Sequence, residues 1–184
     1  MKVLVACEFS GVVRDAFIAR GHDAISCDLR PSETPGPHIQ GDVLPLLQEA
    51  WDLIVAFPPC QDLSRASGGS WAKKRASGAQ QRSQEFFMAI ANAPVERIAI
   101  ENPPGIMTKA WRKPDQMINP CQFGDTWMKD TCLWLKGLPR LMPTFIVFPT
   151  SGYWVQATRS PKNRARTFPG VARAMAYQWG GVNG

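Results

Sequence analysis

Four short apolar runs, each closed by a carboxylate, a proline pair or a glycine turn, constrain this chain more than any other feature. Lys2 to Ala6, Asp23 to Asp28, Asp52 to Phe57 and Arg97 to Glu101 are strand-like in length and rich in β-branched or apolar residues. Helical patterns lie between them. Val13, Ala16 and Phe17 recur at helical spacing before Gly21, a short helical stretch runs from about Leu44 to Ala50, and Gln80 to Asn92 sets Phe86, Phe87 and Ile90 on one side. Strands alternating with helices imply a parallel sheet covered on both faces, an α/β fold. Ser64 to Ala79, rich in Gly, Ser, Lys and Arg, reads as a mobile loop. Later in the chain, Thr131 to Leu135 and Thr144 to Phe148 read as strands, and Pro169 to Trp179 as a closing helix. With no internal repeat and no composition break, the expectation is one domain over residues 1–184.

Composition narrows the function classes. The formal charge of +6 favours an anionic partner, for which nucleic acid is the usual example. The five cysteines (Cys7, Cys27, Cys60, Cys121, Cys132) are widely spaced, and only His22 and His38 are available as imidazoles. That argues against a disulfide framework and against a metal site. The first apolar run is too short for a signal peptide, and no stretch approaches the roughly 20 apolar residues that cross a bilayer. A soluble, cytoplasmic protein is expected.

In parallel sheets, ligands bind at the carboxyl ends of the strands. Phe9 to Gly11, Asp28, Asp42, Cys60 and Glu101 all fall there. A cysteine on a stiff Pro58-Pro59 turn and a carboxylate past another strand suit covalent chemistry on a pyrimidine. A thiolate adds to ring carbon 6, an acid stabilises the developing charge, and carbon 5 becomes nucleophilic.

Pro59-Cys60-Gln61 resembles the Pro-Cys-Gln nucleophile motif of cytosine-C5 methyltransferases, and Glu101-Asn102 resembles their Glu-Asn motif. Phe9-Ser10-Gly11 resembles the start of their cofactor loop, Asp28 the acid on the ribose hydroxyls, and Gly41-Asp42 the motif that reads the adenine amino group. The resemblance covers residues 1 to about 135 and implies a Rossmann-like methyltransferase sheet using S-adenosylmethionine. It implies catalytic roles for Cys60, Glu101 and Asn102, with Phe9, Ser10, Gly11, Asp28, Asp42 and Pro58 on the cofactor. Gln61, Ser64, Trp71, Lys129, Arg164 and Arg166 would meet the substrate, duplex DNA with its cytosine flipped out. Positive surroundings would lower the Cys60 pKa. Cys121, in a second Pro-Cys-Gln tripeptide, lacks the preceding strand and is assigned to structure.

The chain also departs from the pattern. Cys7 stands where the family carries an acid, with Glu8 adjacent, and Lys129 and Thr131 stand where it carries two arginines. In place of a full target-recognition region there is a basic segment, 151–173, with Arg159, Lys162, Arg164, Arg166, Tyr153 and Trp154. Low sequence specificity or a recognition subunit follows, and a chain this compact suits a phage or other mobile element. The basic loop with Arg65, Lys73, Lys74, Arg75 and Arg82 reads as a lid over the flipped base. Two alternatives stay open: the same chemistry on a cytidine nucleotide, single-stranded DNA or RNA, and a binding module that has lost activity.

Overall fold

A computed structural model describes residues 1–154, 158 and 160–181. Arg159 therefore lies outside the described residues, as do three other positions of the basic segment. A seven-stranded sheet carries the chain, in the order β3-β2-β1-β4-β5-β7-β6. Its strands are β1 (Lys2–Ala6), β2 (Asp23–Asp28), β3 (His38–Gln40), β4 (Leu53–Ala56), β5 (Ile98–Asn102), β6 (Gln116–Ile118) and β7 (Thr131–Lys136). The helices are α1 (Val12–Ile18), α2 (Trp71–Ala76), α3 (Ala79–Ala91), α4 (Met107–Ala110), α5 (Pro161–Arg164) and α6 (Pro169–Trp179). This is the expected Rossmann-like α/β sheet, with helices on both faces.

The continuous apolar runs are explained by burial on two sides. Val3, Val5, Leu53, Val55 and Ala99 point to one face, where Phe17 of α1 and Met175 and Trp179 of α6 cover them. Leu4, Ala6, Ile54, Ala56, Ile98 and Ile100 point to the other, beneath Phe87 and Ile90 of α3. Successive strand residues alternate between the two cores, so a one-residue slip would exchange every contact.

Three expectations are corrected. The sheet is mixed, because β7 runs antiparallel to both β5 and β6. Ser64 to Ala79 is not a loop: Arg65–Ser70 forms a 3-10 turn that continues into α2. Ser64 Oγ accepts from Ala66 N at 3.2 Å, which starts that turn. Thr144 to Phe148 forms no strand. Only a bridge between Phe123 and Phe145 is made there, and Phe145, Ile146 and Phe148 are exposed. The strands β3 and β6, three residues each, lie in segments that the sequence left as loop.

Among the described residues, one charged side chain is buried completely. Arg14 sits on the inner face of α1 with no solvent exposure. Its Nε donates to Asp15 at 2.8 Å, Nη1 to Ser26 and Ser32 Oγ at 3.3 and 3.1 Å, and Nη2 to Thr34 Oγ1 and Pro35 O at 2.8 and 3.0 Å. The Pro-rich loop between β2 and β3 is thus wrapped around a guanidinium. Arg14→Met keeps the stem but strands these oxygens; a loss of about 3 kcal/mol is expected from the midpoint of urea unfolding.

Candidate active site

The chain leaves β1 for β2 and β3 on one side, then returns to place β4 on the other. The crevice at the carboxyl ends of β1 and β4 is therefore the switch point where an open α/β sheet binds ligands. Cys7 to Gly11 form one wall. Cys7 takes φ 59, the only positive φ at a non-glycine among the described residues, and Gly11 takes φ 77. A Cβ on Gly11 would fall 2.1 Å from Thr34 Oγ1, so only glycine fits. Gly11 offers no side-chain cap to α1. Glu8 does that work: its buried Oε1 accepts from Val13 N at 3.0 Å and from Ser10 Oγ at 2.8 Å. Burial raises the Glu8 pKa, and those hydrogen bonds oppose the rise.

Phe9 is 4% exposed, with the Arg30 guanidinium 5.1 Å and the Lys162 ammonium 5.9 Å from its ring centre. Asp28 and Asp42 each close a turn, accepting from Arg30 N at 2.9 Å and Leu44 N at 3.0 Å. Neither makes an ion pair among the described residues. Their charges reach the Cys7 thiol, whose pKa is raised by burial first and then by Asp28. Two unpaired carboxylates beside a buried aromatic ring and a glycine turn fit S-adenosylmethionine, which presents ribose hydroxyls, amino groups and a flat adenine.

The opposite wall begins with Phe57, whose N–H donates to Ala6 O at 2.9 Å, and the buried Pro58. Asn102 Nδ2 donates to Pro58 O at 2.8 Å. Asn102 is 1% exposed, so it props the proline turn from within, and its Oδ1 is buried without a partner among the described residues. The turn after Cys60 is closed by Ser64 N donating to Cys60 O at 2.8 Å, and it is knitted to the loop after β5. Ile106 N donates to Leu63 O and Arg65 N to Pro104 O, each at 2.8 Å. Gly105 permits this, since a Cβ there would lie 2.0 Å from Leu63 O. Gln61 is exposed. Lys74 donates to Gln61 O and pairs with Asp62 at 3.2 Å, while Trp71 Nε1 donates to Ser64 O at 3.2 Å. Trp71 and Lys74 thus brace the cysteine turn.

The reversal of β7 has a direct effect here, because it brings the start of that strand alongside the end of β5. Lys129 Nζ lies 3.7 Å from Glu101 Oε1, and Thr131 is buried close by. Glu101, Lys129 and Thr131 share a cavity of about 20 Å³ with Phe57, Ile118 and Phe168. That is room for one water, not for a pyrimidine. Cys60 is exposed. Contrary to the sequence expectation, its thiol pKa is raised: burial of the sulfur leads, Glu101 adds to it, and Lys129 and Arg164 only offset. Arg166 bonds to Glu33. Cys121 sits in a 3-10 turn, Pro120–Gln122, closed by a capping box from Asn119.

Sequence reasoning missed Arg14, Glu8 as a cap, and Glu33. A charge on the apolar stripe of α1 was the available signal for Arg14. Glu33 had none, since its partner lies 133 positions away.

The sheet order, with the distinctive residues at its switch point, defines an α/β protein of Rossmann-like fold. Among solved structures, the chain is similar to a protein described as a DNA modification methyltransferase of an E. coli prophage. The two are 18% identical with a TM-score of 0.48, over 80% of this chain and 52% of that one. It is also similar to a mutant of Spodoptera frugiperda DNMT2, at 14% identity and a TM-score of 0.46, over 83% and 56%. The chain spans about half the length of both. No protein-family model and no curated protein matches it. Likenesses this distant leave the chemistry to be argued from the residues themselves.

The charge arrangement makes a signed prediction. Alkylation of Cys60 by iodoacetamide, followed by mass spectrometry against pH, is expected to show a midpoint above the ordinary value of about 8.5. Glu101→Gln lowers that midpoint and Lys129→Met raises it. Asn102→Ala leaves Pro58 O unpaired and costs about 1–3 kcal/mol in urea unfolding.

Proposed function

We propose that this protein transfers a methyl group from S-adenosylmethionine to carbon 5 of cytosine in DNA through a covalent bond to Cys60. The observation that carries the reading is the placement of an exposed cysteine and a carboxylate at the ends of neighbouring strands. Cys60 follows β4, Glu101 is the penultimate residue of β5, and the two are close enough for one charge to perturb the other. The glycine turn and free carboxylates of the proposed cofactor wall face them across the switch point.

In this reading Cys60 attacks carbon 6 of the flipped base, and Glu101 holds the ring at N3 and the exocyclic amino group. Asn102 fixes the Pro58 carbonyl and so aims the cysteine. Phe9, Ser10, Gly11, Asp28, Asp42 and Pro58 surround the cofactor. When bound, the cofactor supplies an electrophilic methyl group on a sulfonium whose positive charge favours a thiolate nearby. Loss of the carbon-5 proton then expels the Cys60 sulfur. Gln61, Ser64 and Trp71 shape the turn under the base, and Lys129 shares the Glu101 carboxylate with it. Arg164 and Arg166 meet backbone phosphates, whose neutralisation the +6 charge favours.

A second reading, a binding module without turnover, is favoured by the raised Cys60 thiol and by the small cavity at Glu101. The decisive experiment incubates the protein with tritiated S-adenosylmethionine and, separately, duplex DNA, single-stranded DNA, RNA and deoxycytidine nucleotides. Label at cytosine carbon 5 in duplex DNA, abolished in Cys60→Ala and kept in Cys121→Ala, is the expected outcome. Label in another substrate alone reassigns the target. Cofactor binding with no label anywhere leaves the binding module.

A further inference from the structure

The stretch from Ser160 to Phe168 crosses the carboxyl end of the sheet as a basic strap. Lys162 stands over the Phe9 ring, and Thr167 and Phe168 line the Glu101 cavity. One carboxylate fastens it. Glu33 Oε1 and Oε2 accept from Arg166 Nη2 and Nε, each at 2.8 Å, and Lys162 Nζ lies 2.7 Å from Oε1. Glu33 is itself firmly held, because its N–H donates to Phe9 O at 2.8 Å and Arg14 grips Ser32 and Thr34 on either side. The side chains of Arg166 and Lys162 are 43% and 55% exposed, and that of Glu33 only 20%. The cations are thus open to solvent with the carboxylate beneath them.

A guanidinium fork presents two parallel N–H groups that suit a phosphate as well as a carboxylate. Two cations share one carboxylate, so the cluster keeps one unit of positive charge that an incoming phosphate would neutralise. We propose that Glu33 is an internal stand-in for a backbone phosphate, displaced from Arg166 and Lys162 when a nucleic-acid strand binds. The displaced anion and the incoming one compete for the same fork, so the free protein holds its phosphate site closed. Arg166, then Lys162, holds the Glu33 carboxyl down at about 2, so it stays charged through the physiological range. Phosphate and salt, not pH, then govern the exchange. Coupled to the methyltransferase reading, departure of Lys162 also removes one of two cations from over the Phe9 ring on the proposed cofactor wall.

The test measures anisotropy of a labelled oligonucleotide, and of an abasic oligomer with backbone but no bases, at several salt concentrations. Glu33→Gln is expected to bind both on the order of 3–10-fold more tightly than the unaltered protein. Its plot of log affinity against log salt should steepen by about one unit, because no internal ion pair opposes the phosphate contact. Lys162→Ala/Arg166→Ala should move affinity and slope the other way. Opposite shifts from the two variants cannot come from misfolding. Equal affinity in Glu33→Gln, a gain confined to the base-bearing strand, or binding by neither protein overturns the proposal. Calorimetry with S-adenosylhomocysteine separates the two readings: a Glu33→Gln gain without cofactor binding supports the exchange and sinks the methyltransferase.

Discussion

The carboxyl end of the sheet depends on one guanidinium with no access to water. An isolated buried charge is expensive, and Arg14 is tolerable only because its N–H groups are taken up by one carboxylate, hydroxyls and carbonyls. Asp15 and Ser26 belong to α1 and β2, and the other acceptors come from a loop with three prolines and Gly36, which has little apolar surface of its own to bury. Thr34 both accepts from Arg14 and stands where a Cβ on Gly11 would be. The turn after β1, the course of the Pro-rich loop and the position of Glu33 are therefore one arrangement.

Much of the central sheet was legible because its strands are buried on both faces. Runs such as Leu53 to Ala56 must then be apolar throughout, and the helices between them keep a clear stripe. The short strands β3 and β6 escaped because three residues give no period to read. The direction of β7 escaped for a different reason: strand direction follows from long-range pairing with β5, which local pattern does not encode. Thr144 to Phe148 misled because exposed apolar residues imitate a strand when burial is unknown.

The candidate site was legible where it rests on residue type at a strand end, as with Cys60, Glu101 and Asp28. What each side chain does there was not. Asn102 reads as a partner of Glu101, and the structure adds that its Nδ2 is bonded to Pro58 O while Oδ1 is left buried without a partner. Trp71 reads as a base stacker in a loop, but its N–H is bonded to Ser64 O. Charge counting pointed to an acidic thiol at Cys60, and desolvation together with Glu101 outweighs the nearby cations. In each case the answer depends on burial and on partners remote in sequence.

The sheet begins at β3 and ends at β6, and these two are its shortest strands. A free edge is where a second chain could add a strand and start a fibre, and shortness is one of the ways proteins discourage it. The six-residue strands β2 and β7 each have both neighbours in place. The exposed Phe145, Ile146 and Phe148 lie off the sheet, tied to Cys121 and Gln122 by backbone hydrogen bonds from Phe145 and Val147. The two ends of the sheet itself are thus guarded by strands too short to template a long ladder.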